Sequence, residues 1–97
     1  MEKLANLIQN KKARVAILGL GYVGLPQAVL LAKTGFNVFG IDIQKKKVDS
    51  LKRGKSYIGE VKNSDLKEIM KNNRLQIFNK FEPLKKANII ITAVPTP

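Results

Sequence analysis

The sequence predicts an α/β fold, a parallel sheet carrying helices on both faces. Segments that read as strands alternate with segments of helical spacing from the first residues to the last. Glycines stand where the helices should stop. The strand-like runs at 15–18 and 89–94 are apolar and uncharged, as expected of strands covered on both sides.

In order, Leu4, Leu7 and Ile8 fall at i, i+3 and i+4, so residues 2–10 predict a short amphipathic helix, followed by a basic connector from Lys11 to Arg14. Val15-Ala16-Ile17-Leu18 predicts a buried strand ending at Gly19. The stretch from Val23 to Ala32 is too long for a strand and is closed by Gly35, which predicts a buried helix. Pro26 falls in its first turns, where a missing N–H does least harm. Residues 37–43 predict the second strand through Val38, Phe39 and Ile41. Residues 44–53 predict a helix with Val48 and Leu51 inward and Gly54 as its stop. After a loop at 55–62, Ser64 or Asp65 is expected to cap a further helix. Asp65 and Glu68 have capping-box spacing, and Leu66, Ile69 and Met70 form the buried stripe. Leu75 to Phe78 predicts a third strand, Pro83 a brief helical turn through Ala87, and Ile89 to Val94 a fourth strand. Right-handed crossovers favour the strand order 3-2-1-4. A complete domain of this kind has about six strands, so residues 1–97 are expected to be the N-terminal part of one domain, with 1–13 as leading helix and connector.

Composition narrows the chemistry. The 97 residues hold no cysteine and no histidine, which removes thiolate nucleophiles, disulfides and the commonest general base. A hydrolase triad is excluded on the same ground, so no catalytic residue is assigned. Neither a membrane span nor a secretory leader is legible, and a cytoplasmic protein is expected. The net charge of +11 points to an anionic partner. The lysines are spread along the chain, and its two tyrosines and four phenylalanines are not interleaved with a basic cluster. Nucleic acid is therefore not the expected partner, and a phosphate-bearing small molecule is.

One motif supplies a site for it. Gly19-Leu20-Gly21-Tyr22-Val23-Gly24 has the spacing G-x-G-x-x-G, follows a predicted strand and opens a predicted helix. Gly19 turns the chain off the strand, Gly21 admits a pyrophosphate close to the backbone, and Gly24 lets the helix pack tightly on the sheet. The free N–H groups and positive dipole end of the helix face the phosphates. Asp42 stands at the end of the second strand, where a carboxylate accepts hydrogen bonds from the adenosine ribose and disfavours a 2′-phosphate. The alternative for Asp42 is a cap on the helix that begins near Gln44. Lys45, Lys46 and Lys47 read as a solvated face, although one of them could offset Asp42. Tyr22 and Tyr57 read as packing groups, and Glu60, Asp65 and Glu68 as surface or capping groups. A Rossmann-type domain that binds NAD is the expectation.

The wording of the motif goes further. Gly19-Leu20-Gly21-Tyr22-Val23-Gly24-Leu25-Pro26 resembles the opening motif of the UDP-glucose/GDP-mannose dehydrogenase family. The resemblance extends to Gly40-Ile41-Asp42-Ile43, Lys47-Val48, Ser56-Tyr57-Ile58 and Val94-Pro95-Thr96-Pro97, and covers the chain from Arg14 onward. Within the family it is most similar to bacterial enzymes acting on UDP-N-acetylglucosamine or UDP-N-acetylmannosamine. It implies that the glycine loop, with Tyr22 and Val23, holds the NAD pyrophosphate. It implies that Asp42 and Lys47 hold the adenosine ribose and that Thr96 lies beside the cofactor. It further implies oxidation of a UDP-sugar C6 alcohol to the carboxylate with two NAD, for envelope polysaccharides, in an oligomeric parent enzyme. The family's catalytic cysteine has no counterpart in these residues, so sugar oxidation by them alone is not expected. The rival reading is a regulatory module sensing NAD(H) or an adenine nucleotide. An open edge along strand 89–94 is expected to favour self-association.

Overall fold

The computed structural model describes residues 4–10 and 12–93. Four parallel strands, β1 (Arg14–Leu18), β2 (Asn37–Ile41), β3 (Leu75–Phe78) and β4 (Ile89–Thr92), form one sheet in the order β3-β2-β1-β4. The register runs Val15↔Val38 and Val15↔Ile89 across the central strand and Val38↔Leu75 on the far side. The order is the expected 3-2-1-4. It leaves β4 beside β1 alone among the described residues, with Ile90 half-exposed.

Residue parity decides the two faces of the sheet. Val15 and Ile17 of β1, Val38 of β2, and Leu75 and Ile77 of β3 point to one side and are buried there. Against them pack α2 (Gly24–Thr34) through Leu25, Ala28, Val29 and Ala32, α3 (Lys45–Lys52) through Val48 and Leu51, and α4 (Asn63–Lys71) through Leu66 and Ile69. The opposite face carries Phe39 and Phe78, whose rings meet edge to face at 6.0 Å. A 3-10 turn (Glu82–Lys86), anchored by buried Pro83, lies against that face. Gly35 closes α2, its N–H bonded back to the Ala32 carbonyl.

The expected elements are present, with ends shifted by a residue or two, and two local readings are corrected. The fourth helix starts at Asn63, earlier than a cap at Ser64 or Asp65 allows, and its N-cap position, Lys62, makes no side-chain cap bond. Asp65 instead reaches across to Lys33 of α2 at 2.9 Å, an exposed ion pair worth about 0–1 kcal/mol. The leading helix, α1 (Leu4–Gln9), leaves Leu4 and Ile8 more than 40% exposed, so these members of its apolar stripe do not join the core. Val94 lies outside the described residues, and β4 is described to Thr92.

Gly24 fixes how closely α2 approaches the sheet. A Cβ there would overlap the Gly19 carbonyl oxygen and press on Ala93 at 3.2 Å. Gly24→Ala should therefore cost on the order of 1–3 kcal/mol or more, because backbone has to move. Gly59, where a Cβ meets nothing within 4 Å, provides the control. Urea unfolding should show a clear loss for Gly24→Ala and a change within about 0.5 kcal/mol for Gly59→Ala. Equal midpoints would mean that the contact is not tight.

Candidate functional site

At the C-terminal ends of β1 and β2 the chain leaves the sheet in two turns, and the cleft lies between them. Gly19, at φ 96°, swings the backbone off β1 while its N–H still bonds the Ile41 carbonyl at 2.8 Å. Leu20 then drops into the core, fully buried, and Gly21 begins the approach to α2. A Cβ at Gly21 would meet no protein atom within 4 Å, so the space over this residue is open. The N–H groups of Gly21, Tyr22 and Val23 meet no backbone acceptor among the described residues. These are donors at the head of an 11-residue helix, where its dipole is positive. Tyr22 and Val23 extend their side chains into solvent, 85% and 63% exposed, so what they offer the turn is backbone.

Asp42 follows β2 directly and is only 8% exposed. Its two carboxylate oxygens accept the backbone N–H groups of Leu20 at 2.9 Å and Gln44 at 2.8 Å. One bond fastens the glycine turn and the other holds the Gln44 N–H just before α3, whose N-cap position, Gln44, makes no side-chain cap bond. Each oxygen keeps acceptor capacity for a further donor. Asn79, just past β3, donates from Nδ2 to the carbonyls of Asp42 and Ile43 and holds this corner from outside.

The cleft between the turns has a volume of about 420 Å³ and is lined by Gly19, Gly21, Asp42, Gln44 and Lys47, with Phe81 and Thr92 at its rim. It sits where β1 meets β4 on one side and β2 on the other, the switch point at which open α/β sheets take ligands. A cleft of about 440 Å³ at the opposite strand ends, around Arg14, Asn37 and Lys86, has neither the helix head nor a buried carboxylate. The donor set fits a pyrophosphate-bearing nucleotide: free N–H groups over open space at Gly21, and a fixed acceptor at Asp42.

The structure brings five expected residues, Gly19, Gly21, Gly24, Asp42 and Lys47, to or behind this cleft. Tyr22 and Val23 belong to its turn, and Thr96 lies outside the described residues. Two contributors escaped the reading of the sequence. Phe81, 55% exposed, comes to the rim through the turn after β3, for which no local signal exists. The sequence predicts a packing role for Tyr57, yet its hydroxyl donates to the Leu20 carbonyl at 2.6 Å, and the Lys47 ammonium lies 5.8 Å from its ring centroid. Burial, and secondly the nearby Asp42 charge, push the Tyr57 phenol above the ordinary tyrosine range, so it stays a donor.

Fold and cleft together define a dinucleotide-binding domain of Rossmann type. The family model for the "UDP-glucose/GDP-mannose dehydrogenase family, NAD binding domain" matches residues 13–97. The chain belongs to this family, and NAD is the cofactor of the domain it carries. It is 38% identical over 85 residues to the UDP-N-acetyl-D-mannosamine dehydrogenase of Pyrococcus horikoshii, covering 87% of this chain and 20% of that protein. It is 38% identical over 86 residues to the UDP-N-acetyl-D-glucosamine 6-dehydrogenase of Salmonella typhi, covering 89% and 19%. The solved UDP-D-ManNAc dehydrogenase of Pyrococcus horikoshii superposes with a TM-score of 0.80 at 37% identity, over 87% of this chain and 20% of that one. A GDP-mannose dehydrogenase of Pseudomonas aeruginosa, solved as a ternary complex, gives 0.79 at 32% identity, over 87% and 20%. The chain thus spans about a fifth of the length of these relatives.

Ionisation of Tyr57 should oppose folding. Its pKa is raised in the fold, so its contribution to stability is complete below about pH 10 and is lost as pH rises beyond that. The chain has two tyrosines, so in a Tyr22→Phe variant phenolate absorbance reports Tyr57 alone. That absorbance should appear well above pH ~10 in the folded chain and near it in urea. The same midpoint in both states would show that the phenol is not held protonated.

Proposed function

We propose that this chain is the cofactor half-site of an NAD-dependent nucleotide-sugar dehydrogenase. Its glycine turn receives the pyrophosphate and Asp42 receives the adenosine ribose. The observation that carries the reading is the pairing, in one cleft, of unpartnered helix-head N–H groups over open space at Gly21 with the buried Asp42 carboxylate. The N–H groups and the dipole of α2 attract an anion without a charged side chain. Asp42, already oriented by two N–H donors, accepts from ribose hydroxyls and places negative charge where a 2′-phosphate would lie. Lys47 stands beside it as a cation for the same end of the cofactor. Tyr22 and Val23 contribute backbone to the turn. Thr96 is assigned beside the cofactor on the family resemblance.

NAD supplies a hydride acceptor when bound, and the residues of this chain bind and orient it. The relatives named above support a UDP-sugar as the substrate of the whole protein, and the family resemblance supports oxidation of its C6 alcohol to the carboxylate. A role in envelope polysaccharide synthesis, a cytoplasmic location and a homo-oligomeric parent belong to the same reading. No described helix is long and apolar enough to cross a membrane.

Calorimetric titration tests the cofactor site. Gly21→Val fills the open space over the turn and should lower NAD affinity about tenfold or more while the chain stays folded. Retained affinity in a folded Gly21→Val chain would place the phosphates elsewhere. Asp42→Ala should lose about 1.5–3 kcal/mol of NAD binding and narrow the gap between NAD and NADP. If the unsubstituted chain already binds NADP as tightly as NAD, Lys47 and its neighbours outweigh Asp42 and the ribose assignment is wrong.

A further inference from the structure

Tyr57 lies outside both the glycine motif and the second-strand carboxylate, yet it touches the machinery of both. Its hydroxyl donates to the Leu20 carbonyl at 2.6 Å, 37 positions away in sequence. The N–H of the same residue, Leu20, is held by Asp42. The two peptide units flanking the Leu20 Cα are therefore fixed by two different side chains, and the buried Leu20 side chain fixes the third direction. The described chain has no cis peptide, so in the trans Leu20–Gly21 unit the Gly21 N–H points opposite to the carbonyl that Tyr57 holds. Setting the carbonyl sets the N–H. A hydrogen bond to a peptide carbonyl also polarises the N–H of the same unit and makes it a better donor. The Tyr57 ring, meanwhile, seats the Lys47 ammonium, which lines the cleft beside Asp42.

We propose that Tyr57 is a positioning residue of the cofactor site, aiming the Gly21 N–H through the Leu20 carbonyl and seating Lys47 on its ring. This rests on the assignment of the glycine turn as the phosphate site and deepens it. Tyr57 touches no ligand in this account. It acts through the two groups that do, and it is delivered by the loop between α3 and α4, so the order of that loop is coupled to cofactor affinity.

Two substitutions separate its parts. Tyr57→Phe keeps the ring under Lys47 and removes only the hydroxyl, and Tyr57→Leu removes both. In the full chain, NAD affinity should fall about twofold to tenfold for Tyr57→Phe and further for Tyr57→Leu. Adenosine, which lacks the phosphates, should bind Tyr57→Phe as it binds the unsubstituted chain. In ¹⁵N–¹H spectra without ligand, the Gly21 amide proton should move upfield in Tyr57→Phe while core amides stay in place. Unchanged NAD affinity in Tyr57→Phe would overturn the proposal. An equal loss for adenosine and NAD would overturn it too, since that is the mark of general loosening. If the unsubstituted chain binds adenosine but gains nothing from the phosphates of NAD, the assignment of the turn itself falls and the proposal with it.

Discussion

A buried carboxylate has to be matched by donors, or the fold that buries it is not stable. Asp42 meets this requirement with the N–H groups of two turns, and much of the site follows from that choice. The turn leaving β1 and the turn entering α3 are not independent loops, because both are tied to the side chain that directly follows β2. Asn79, arriving after β3, closes the same corner from behind through the Asp42 and Ile43 carbonyls. Three segments distant in sequence thus meet at the C-terminal ends of adjacent strands. A ligand placed there meets groups whose positions are already fixed, which lowers the ordering cost of binding.

The glycine turn solves a different problem. Gly24 brings α2 so close that the Gly19 carbonyl occupies the place of a side chain, and Gly21 leaves free space over the backbone. Tight packing below and open space above come from the same residue type at two positions of one motif. The outcome is a row of N–H groups with no backbone acceptor among the described residues. Left dry and unmatched, such donors would cost about 1–3 kcal/mol each. Water or a phosphate relieves that cost, and a phosphate gains the helix dipole besides.

The legible parts of this structure are those with local causes. The glycine turn, the aspartate after a strand end and the Gly35 stop are set by backbone chemistry within a few residues of themselves, and the strand order is among the few that right-handed crossovers allow. What the sequence misled on, or hid, depends on distant partners. Asp65 has capping-box spacing with Glu68, but Lys33 of a neighbouring helix claims it, and Asn63, one turn position earlier, is occupied by the Ser56 N–H at 2.8 Å. The spacing of Leu4 and Ile8 promises an apolar face, yet no element of the described chain buries it. Tyr57 looks like any half-buried aromatic until the fold lays its hydroxyl on Leu20. Phe81 reaches the cleft rim only because of where β3 ends. Periodicity has no term for any of these.

Charge argues the same point from another direction. A chain with net charge +11 lines its candidate cofactor cleft with a buried carboxylate, which works against a purely electrostatic reading of its basic composition. The lysines act diffusely across the surface and are screened within about 8–10 Å of salt solution. Asp42 acts at short range from a site largely shielded from water, where each unit of charge counts for more. In the proposed reading, a basic surface favours phosphate-bearing molecules in general, and Asp42 distinguishes among them by what they carry on the ribose. Among the described residues Lys47 is the one cation lining the cleft, and its ammonium lies against the Tyr57 ring. In the proposed reading, the shielded carboxylate outweighs the more exposed Lys47 cation, and that favours NAD over its 2′-phosphorylated relative.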